Sequence, residues 1–522
     1  MIDTKALRQK ILDLAIRGKL VPQDPDDEPA SVLLERIRQQ KQQMVKEGKL
    51  KPKDIKNDSV IFVGEDNLHY EKFADGSVKC IEDEIPFDLP EGWEWVRLGS
   101  VGDMTLGKML DVTKNKGTLR PYLRNINVRW GAFELSDVLE MRFEDDELER
   151  YSIRHGDLVI CEGGEPGRCA VWQSEEVVFY QKALHRVCAI EVLPEFLYYV
   201  IRHFIISNQY ERYYTGTTIK HLTGQSLRII PIPLPPLNEQ KLIVEHLQRI
   251  IEEIDKIETE KTEALSLVSF AKSKILDLAI RGQLVPQDPD DEPASVLLER
   301  IRAEKEELIK QGKIKRNKKE SIIFRGEDNS YYEKMGDKVE NISEEIPFEL
   351  PDGWMWCRGR SCFSGMESTK PQGEFFDYID IDAIDNRLHR IKTAKHLPAS
   401  EAPSRASRAV KTGSVLFSLV RPYLENIALV EKTHSHCIAS TGFYVCNSNG
   451  ILLPKFMFFL MISSYVVSGL NQYMKGDNSP SISKDNIESW LYPVPPMAEQ
   501  KAICAKLKKV FNLIAKVENS LS

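Results

Sequence analysis

The sequence predicts an α+β protein in which two mixed α/β domains are separated by long antiparallel coiled-coil helices, with an internal pseudo-twofold, cyclic symmetry. Two observations lead to this fold class. Residues 10–38 return as residues 274–302 with a single change, from Lys19 to Gln283. In addition, residues 237–281 contain neither Pro nor Gly and carry apolar residues at the spacing of a coiled-coil seam.

Composition narrows the class of protein. The chain has 522 residues, of which 42% are hydrophobic and 29% charged, so it can bury two or more cores and is neither disordered nor fibrous. The N-terminal stretch is charged throughout, and no apolar run approaches the roughly 20 residues of a membrane span. We therefore expect a soluble protein without a signal peptide. The net charge of −8 argues mildly against nonspecific polyanion binding.

Cysteine usage bears on the compartment. The nine cysteines are odd in number and form no C-x-x-C pair. This pattern predicts a reducing, cytoplasmic location with buried free thiols, rather than zinc sites or disulfides.

The repeat extends beyond its most similar part and has a cyclic order. EIPFDLPEGWEW at 84–95 is answered by EIPFELPDGWMW at 345–356, and residues 216–240 align without gaps on 476–500. The Lys-rich stretches before these domain openings are predicted to be flexible linkers. The C-terminal helix corresponds to the first half of the central helical region, and the N-terminal segment corresponds to its second half. Two ends that complete each other would give a pseudo-twofold ring.

The central region is predicted to form one helix of about 44 residues, roughly 65 Å long, that ends at Gly282. Its apolar seam runs through positions 243, 247, 250, 254 and 257, then 264, 268, 271, 275 and 278, and is interrupted at Lys261. The C-terminal copy has Ile503, Leu507, Val510, Ile514, Val517 and Leu521. A second helix is predicted to begin near Pro29 or Pro293 and to end near Gly48 or Gly312.

Motifs of catalysis are missing from the sequence. Residues 102–109, GDMTLGKM, have the spacing of a phosphate-binding loop, but Met109 stands where a hydroxyl should hold magnesium, so we interpret the segment as an ordinary loop. GGEPGR at 163–168 is predicted to be a tight hairpin. The chain contains no Asn-Pro-Pro-Tyr or Asp-Pro-Pro-Tyr, no H-E-x-x-H and no G-x-S-x-G. We therefore predict a binding protein with no catalytic residue and no metal site.

Positive charge is concentrated once in each half. Residues 107–130 have a local balance of +5 with Tyr122 and Trp130 interleaved, and residues 384–411 again have +5. A basic run is usually a solvated face, but two patches at comparable places in an acidic protein favour contacts with nucleic-acid phosphates. The candidate contacts are Lys108, Lys114, Lys116, Arg120, Arg124 and Arg129 in the first half, and Arg387, Arg390, Lys392, Arg405, Arg408 and Arg421 in the second.

Two segments that begin with Gly216 and Gly476 keep their alignment but change their polar side chains. A surface that reads different base edges in the two halves would vary in this way, whereas drift in an idle loop is the alternative. The candidate residues are Thr217, Thr218, Lys220, His221 and Gln225, which lie opposite Asn478, Ser479, Ser481, Ser483 and Lys484.

The repeated KILDLAIRGKLVPQDPDDEPASVLLERI, the opening IPFDLPEGWEW and the exit IPIPLPPLNEQKLIVEHL together resemble the DNA-specificity (S) subunit of type I restriction-modification systems. The resemblance implies two target-recognition domains, each reading one half of a bipartite DNA site. It also implies that the helices dock two modification subunits, which bind S-adenosylmethionine and methylate adenine. Restriction subunits, which carry the motor and the nuclease, would join them and use ATP and magnesium, while the S subunit itself holds no cofactor.

On this resemblance the chain divides into seven parts. They are N-terminal scaffold helices 1–50, a linker 51–92, target-recognition domain 1 at 93–237, a central helical spacer 238–312, a linker 313–353, target-recognition domain 2 at 354–497 and a C-terminal scaffold helix 498–522. Many family members begin directly with a recognition domain, whereas here a helical copy comes first. The alternatives are the specificity subunit of another methylation-dependent defence system, a coiled-coil interaction scaffold and a self-contained enzyme, the last disfavoured by the missing motifs.

Overall fold

A computed structural model describes residues 3–56, 58–111, 113–217, 219–314, 316 and 319–521. The chain divides into two compact units, Ile2–Glu260 and Lys261–Ser522. In the part of the chain that is described, no helix is both long enough and apolar enough to cross a membrane.

The first unit holds a series of helices and short strands. Its helices are α1 (Thr4–Ile16), α2 (Ala30–Lys46), α3 (Pro52–Ile55), α4 (Pro194–Ile206), α5 (Gly224–Arg228) and the beginning of α6 (Leu237–Ile280). Its strands are β1 (Val60–Val63), β2 (His69–Lys72), β3 (Val78–Cys80), β4 (Glu94–Arg97), β5 (Gly102–Leu106), β6 (Thr118–Leu123), β7 (Val128–Arg129), β8 (Ala132–Phe133), β9 (Leu139–Phe143), β10 (Ser152–Ile153), β11 (Leu158–Cys161), β12 (Cys169–Val171), β13 (Val178–Tyr180), β14 (Leu184–Ala189) and β15 (Pro231–Leu234).

The second unit repeats this series. Its helices are the end of α6, then α7 (Ala294–Lys310), α8 (Gly359–Cys362), α9 (Pro454–Met461), α10 (Ser464–Asn471), α11 (Lys484–Ser489) and α12 (Met497–Leu521). Its strands are β16 (Ile322–Arg325), β17 (Tyr331–Met335), β18 (Lys338–Asn341), β19 (Met355–Arg358), β20 (Phe363–Ser364), β21 (Phe375–Ile379), β22 (Ile384–Asp385), β23 (Arg390–Ile391), β24 (Lys395–Pro398), β25 (Ala406–Ala409), β26 (Val415–Ser418), β27 (Ile427–Leu429), β28 (Ile438–Ser440), β29 (Phe443–Ser448) and β30 (Leu491–Val494).

The long helix α6 confirms the prediction of one helix of 44 residues. It stops at Gly282, whose φ of +71° lies in the left-handed region that favours glycine. The N–H of Gly282 donates to the carbonyl of Ala279 at 3.3 Å, and the N–H of Gln283 donates to the carbonyl of Leu278 at 2.8 Å. A side chain at Gly282 would also meet Pro351, because an added Cβ would lie 2.4 Å from that ring.

Each unit contains one terminal helix that runs antiparallel to one part of α6. In the first unit Arg8 of α1 pairs with Glu258 at 3.1 Å, while Gln23, beyond the other end of α1, donates to Glu239 at the start of α6. In the second unit Lys272 of α6 pairs in the same way with Glu518 of α12 at 2.7 Å. This repeated helix pair is the arrangement that the cyclic order of the repeats predicted.

Burial along the predicted seam is uneven. Ile243, Leu247 and Ile254 are buried, as are Ile503 and Leu507 of α12. Ile257 is 44% exposed and Leu278 is 38% exposed, although both stand at seam positions. Near the end of α6 the buried residues are instead Leu276, Ala279 and Ile280, because that turn packs against the domain of its own unit.

Two four-stranded sheets form the domain of each unit. In the first unit their strand orders are β10-β13-β6-β9 and β12-β11-β14-β5, and in the second unit the corresponding orders are β25-β28-β21-β24 and β27-β26-β29-β20. Strand β11 is buried on both faces, since Leu158 and Ile160 pack towards α4 while Val159 and Cys161 face the other sheet. The apolar run of β11 therefore contributes to the core of the domain on both faces of the strand.

The two ranges predicted to be linkers contain folded structure. Strands β1–β3 form a small antiparallel sheet within 51–92, and β16–β18 form its counterpart within 313–353. Arg97 of β4 holds the first sheet through a buried pair with Glu71 at 2.6 Å, and Arg358 of β19 holds the second through Glu333 at 2.8 Å. The two ranges predicted to be linkers therefore include folded strands, while the flexibility of the Lys-rich stretches before those strands stays a prediction.

A buried carboxylate joins three stretches of chain at the first turn of α6. Glu239 is 2% exposed and accepts hydrogen bonds from the indole N–H of Trp93 at 2.8 Å and from the side-chain amide of Gln23 at 3.1 Å. Glu499, in the first turn of α12, accepts from Trp354 at 2.7 Å and from Gln287 at 3.0 Å. A buried carboxylate is tolerated when donors surround it, and the helix N-terminus adds favourable charge.

We predict that Glu239→Ala destabilises the first unit. The substitution leaves the buried indole N–H of Trp93 without its acceptor, so the free energy of unfolding should fall by about 2 kcal/mol. Denaturant unfolding followed by tryptophan fluorescence measures the change. Glu245→Ala is the matched control, because Glu245 is exposed on the same helix and its loss should cost less than about 0.5 kcal/mol. Equal losses for the two variants would show that the Trp93–Glu239 contact is not stabilising.

Candidate nucleic-acid interface

Several loops of the first unit leave the same end of its buried sheet. Leu106 of β5 and Ile160 of β11 both pair with His185 near the start of β14. The loop after β5, the loop after β11 and the loop before β14 therefore lie together. The parallel pairing of Tyr180 with Leu123 brings the loop after β6 to this end as well.

We call residues 124–132, 162–168, 214–217 and 219–222 the first loop surface. The N–H of Leu222 donates to the carbonyl of Glu162 at 2.8 Å, which ties the Gly-initiated segment to the hairpin between β11 and β12. Within that segment the backbones of Thr215 and His221 exchange two hydrogen bonds at 2.8 and 2.9 Å. The segment is thus a closed loop held against the hairpin rather than a loose connection.

The hairpin of the first loop surface is fastened to the neighbouring loop by side chains. The Arg168 guanidinium donates to the carbonyl of Asn125 at 2.8 Å, and Trp130 donates from its indole N–H to Glu165 at 2.8 Å. Arg168 also forms an ion pair with Glu165 at 2.7 Å. The prediction of a tight hairpin at 163–168 is confirmed by the antiparallel pairing of β11 with β12.

The second unit builds an equivalent surface from residues 380–390, 419–426 and 474–482, which we call the second loop surface. The N–H of Ile482 donates to the carbonyl of Leu419 at 2.9 Å, as Leu222 does to Glu162 in the first unit. Arg421, at a φ of +47°, donates from its backbone to the carbonyl of Pro480 at 2.7 Å. The two surfaces therefore share a backbone frame.

Further contacts join the predicted residues of the second loop surface. The Arg421 guanidinium donates to the carbonyl of Asn478 at 3.0 Å, and Asn386, next to Arg387, donates to the carbonyl of Leu424 at 2.7 Å. Arg405 lies close to the second loop surface. Its carbonyl accepts from the N–H of Thr441, and the next residue, Gly442, accepts from the N–H of Leu419.

Most of the predicted contact residues are exposed. The exposed candidates are Lys114, Lys116, Arg129, Thr217, Lys220, His221, Gln225, Arg387, Arg390, Lys392, Arg405, Arg421, Asn478, Ser479, Ser483 and Lys484. Several of them are already paired, since Lys114 contacts Asp111 at 3.4 Å, Lys220 contacts Glu211 at 2.9 Å and Lys484 contacts Glu488 at 3.1 Å. Thr218 lies outside the described residues.

Lys108 does not fit the prediction of a DNA contact. It is 6% exposed, its ammonium donates to the carbonyl of Arg142 at 2.9 Å and it forms an ion pair with Glu147. The ammonium also lies 5.1 Å from the centre of the Phe143 ring. The cause is strand β5, which occupies residues 102–106 where the sequence predicted a loop and thereby turns Lys108 inward.

Other candidates have structural contacts. Arg124 is half-buried and pairs with Asp137 at 2.8 Å, and the guanidinium of Arg120, also half-buried, lies 5.5 Å from the centre of the Phe179 ring. Arg408 is half-buried on β25, and the half-buried Ser481 pairs through its backbone with Lys475. The Ser483 hydroxyl accepts from the N–H of Asn486 at 3.3 Å and caps α11, which leaves it bound to its own helix.

Sequence reasoning missed the side chains that frame the two surfaces. Glu165 and Arg168 lie in the hairpin that was interpreted only as a turn, and Asn386 and Glu425 were not singled out. The signal available in the sequence was the pair of glycines at 164 and 167, both of which take left-handed φ values in the structure. A tight turn of this kind holds the neighbouring side chains in fixed positions.

Comparisons with known proteins agree with this geometry. The family model described as type I restriction modification DNA specificity domain matches residues 90–267 and 405–522, which together exceed half of the chain. The EcoAI specificity subunit of Escherichia coli is 25% identical over 98% of this chain and 90% of that subunit. The EcoEI specificity subunit of Escherichia coli is 26% identical over 99% of this chain and 90% of that subunit.

A solved structure titled as the basis of complex assembly and conformational transition of the type I R-M system has the same fold. It aligns with a TM-score of 0.53 and 19% identity over 84% of this chain and 94% of that one.

The fold defines a class of protein. Its members have two domains, each with a loop surface, and a duplicated helical scaffold. The chain belongs to the family of type I restriction-modification DNA specificity subunits. The predictions of family, fold class and a non-catalytic role in DNA recognition are confirmed by this match.

Proposed function

We propose that the first and second loop surfaces each bind duplex DNA and that each reads one half of a bipartite site. The observation that carries this proposal is the shared frame of the two surfaces, in which Leu222 and Ile482 make the same backbone contact while the side chains around them differ. Lys and Arg would neutralise phosphates, and Asn, Gln, Ser and Thr would meet base edges in the major groove.

We propose that the helices dock two modification subunits. The support is the near-identity of residues 10–38 and 274–302, since two equivalent surfaces suit two copies of one partner. Exposed apolar side chains on the helices also favour a protein partner, among them Leu267 at 68%, Phe270 at 62% and Leu513 at 54%. Two identical partners on a duplicated scaffold would place one active site beside each loop surface.

Catalysis would then belong to the partners. The modification subunits would bind S-adenosylmethionine and methylate adenine, and restriction subunits would use ATP and magnesium to translocate and cut DNA. Such a complex would act in the cytoplasm, where it meets both chromosomal and incoming DNA. The alternatives are a specificity subunit of another methylation-dependent defence system and a coiled-coil scaffold, and the scaffold would show no salt-dependent DNA binding.

We predict that Arg387→Ala weakens DNA binding by the full-length chain. Arg387 is exposed on the second loop surface, so its loss should remove one phosphate contact, lower the affinity several-fold and reduce the slope of log affinity against log salt by about 1. Fluorescence anisotropy over a salt series measures both quantities. The control is Lys334→Ala, which removes an exposed cation from β17, away from the loop surface. Equal effects of the two variants would mean that the surface has no special role.

We predict that inserting four residues next to Thr262 lengthens the unread gap of the site. The insertion point lies between the helix pair that contains Glu258 and the pair that contains Lys272, so both pairs stay intact. Four helical residues add about 6 Å, equivalent to about two base pairs. Methylation mapping in cells that also make the cognate modification subunit should show both half-sites unchanged. Altered half-sites would refute the proposal that the helix determines the gap while the domains determine the half-sites.

A further inference from the structure

A carboxylate of the second unit lies between two imidazoles and next to a thiol. Asp377 contacts His396 through one oxygen at 2.8 Å and His436 through the other at 2.7 Å. The Cys437 Sγ lies 4.0 Å from the Nε2 atom of His436. The candidate ligand atoms of Asp377, His436 and Cys437 all lie within 4.8 Å of one another.

Neighbouring strands bring these four residues together. Asp377 on β21 stands directly opposite His396 on β24, so both side chains share one face of the sheet. His436 and Cys437 immediately precede β28, which runs parallel to β21 with Ile438 beside Tyr378. The cluster is therefore fixed by the register of β24, β21 and β28 rather than by a single loop.

We propose that Asp377, His396, His436 and Cys437 form a binding site for a divalent transition-metal ion, with zinc as the best fit. Two imidazoles, one thiolate and one carboxylate are the ligand types that zinc takes in four-coordinate sites. Ligand atoms about 2 Å from a tetrahedral ion lie about 3.3 Å apart. Three of the observed separations, 2.7, 2.8 and 4.0 Å, lie on either side of that value, so the side chains would rotate when they bind an ion, His396 among them.

The surroundings favour entry of an ion and retention of its ligands. The side chains of His396 and His436 are exposed to solvent, whereas Cys437 is 4% exposed and lies on the buried side of the site. On binding an ion, the Cys437 thiol would release its proton to solvent and bind as the thiolate. Phe375 stacks on the His396 ring at 5.0 Å and orients it.

The first unit provides an internal comparison, because its sheet has the same register. Tyr122 of β6 lies beside Phe179 of β13, as Tyr378 lies beside Ile438, and Pro121 stands opposite Glu140, as Asp377 stands opposite His396. The positions that correspond to the four ligands are Pro121, Glu140, Val177 and Val178. None of these can reproduce the set, so the cluster is not a requirement of the fold.

A bound ion would tie the three strands β24, β21 and β28 at one point. All four ligands come from the protein, as in closed structural zinc sites, so the ion would stabilise the second unit rather than open a catalytic position. This inference concerns the second unit alone and does not depend on DNA binding by either loop surface.

Cobalt(II) binding to the full-length chain tests the proposal, because cobalt takes zinc sites and a cobalt–thiolate bond gives a charge-transfer absorption band. We expect one equivalent of cobalt to produce this band and zinc to abolish it by displacement. Cys437→Ser should remove the band, and His436→Gln should reduce the affinity at least about tenfold. The second variant guards against misfolding, because the His436 side chain is 62% exposed.

Matched controls come from the same chain. Cys80→Ser removes an exposed thiol of the first unit, and His434→Gln removes an imidazole two residues from the site, so both should bind cobalt as the original chain does. The proposal is overturned if the chain binds no stoichiometric cobalt. It is equally overturned if the band persists in Cys437→Ser, or if His434→Gln weakens binding as much as His436→Gln.

Discussion

Glu239 and Glu499 impose the constraint on which the scaffold of each unit depends. Each carboxylate is buried in the first turn of a long helix and accepts from a Trp at the opening of the domain and from a Gln beyond the preceding scaffold helix. Gln240, the residue after Glu239, adds a contact with the domain, since its side chain accepts from the N–H of Leu193 at the start of α4 at 3.0 Å. These contacts hold the start of the long helix, the opening of the domain and the terminal scaffold at one point, which we call the junction. The positions of the loop surfaces depend on this junction.

The scaffold could be predicted from sequence because its signals are local or repeated. A Pro- and Gly-free stretch with a regular apolar seam identified α6 to within one residue, and the cyclic order of the repeats predicted one terminal helix beside each part of it. The sheets β1–β3 and β16–β18 escaped prediction because their strands are short and depend on Arg97 and Arg358 from outside their own segments. Burial near Leu278 also differed, since contacts with the domain outweigh the heptad pattern there.

The candidate site was predictable in outline but not in detail. Gap-free alignment of the two Gly-initiated segments identified loops that share a backbone frame, and composition identified the basic patches. Charge along the sequence could not show that Lys108 points inward to Glu147, because that depends on where β5 ends. The Asp377 cluster was invisible for a similar reason. Its ligands are spread from residue 377 to residue 437 and meet only through strand register, so cysteine spacing alone favoured plain thiols.

We propose that two copies of one domain read DNA independently on a common scaffold. Exchange of residues 96–237 for the corresponding segment of a relative with different specificity, followed by methylation mapping with the same modification subunit, tests it most directly. The segment ends at Leu237, the first residue of α6, so Glu239 and the rest of that helix stay unchanged. Independent reading predicts that one half-site changes while the other half-site and the gap stay as they were. A change in both half-sites would contradict it.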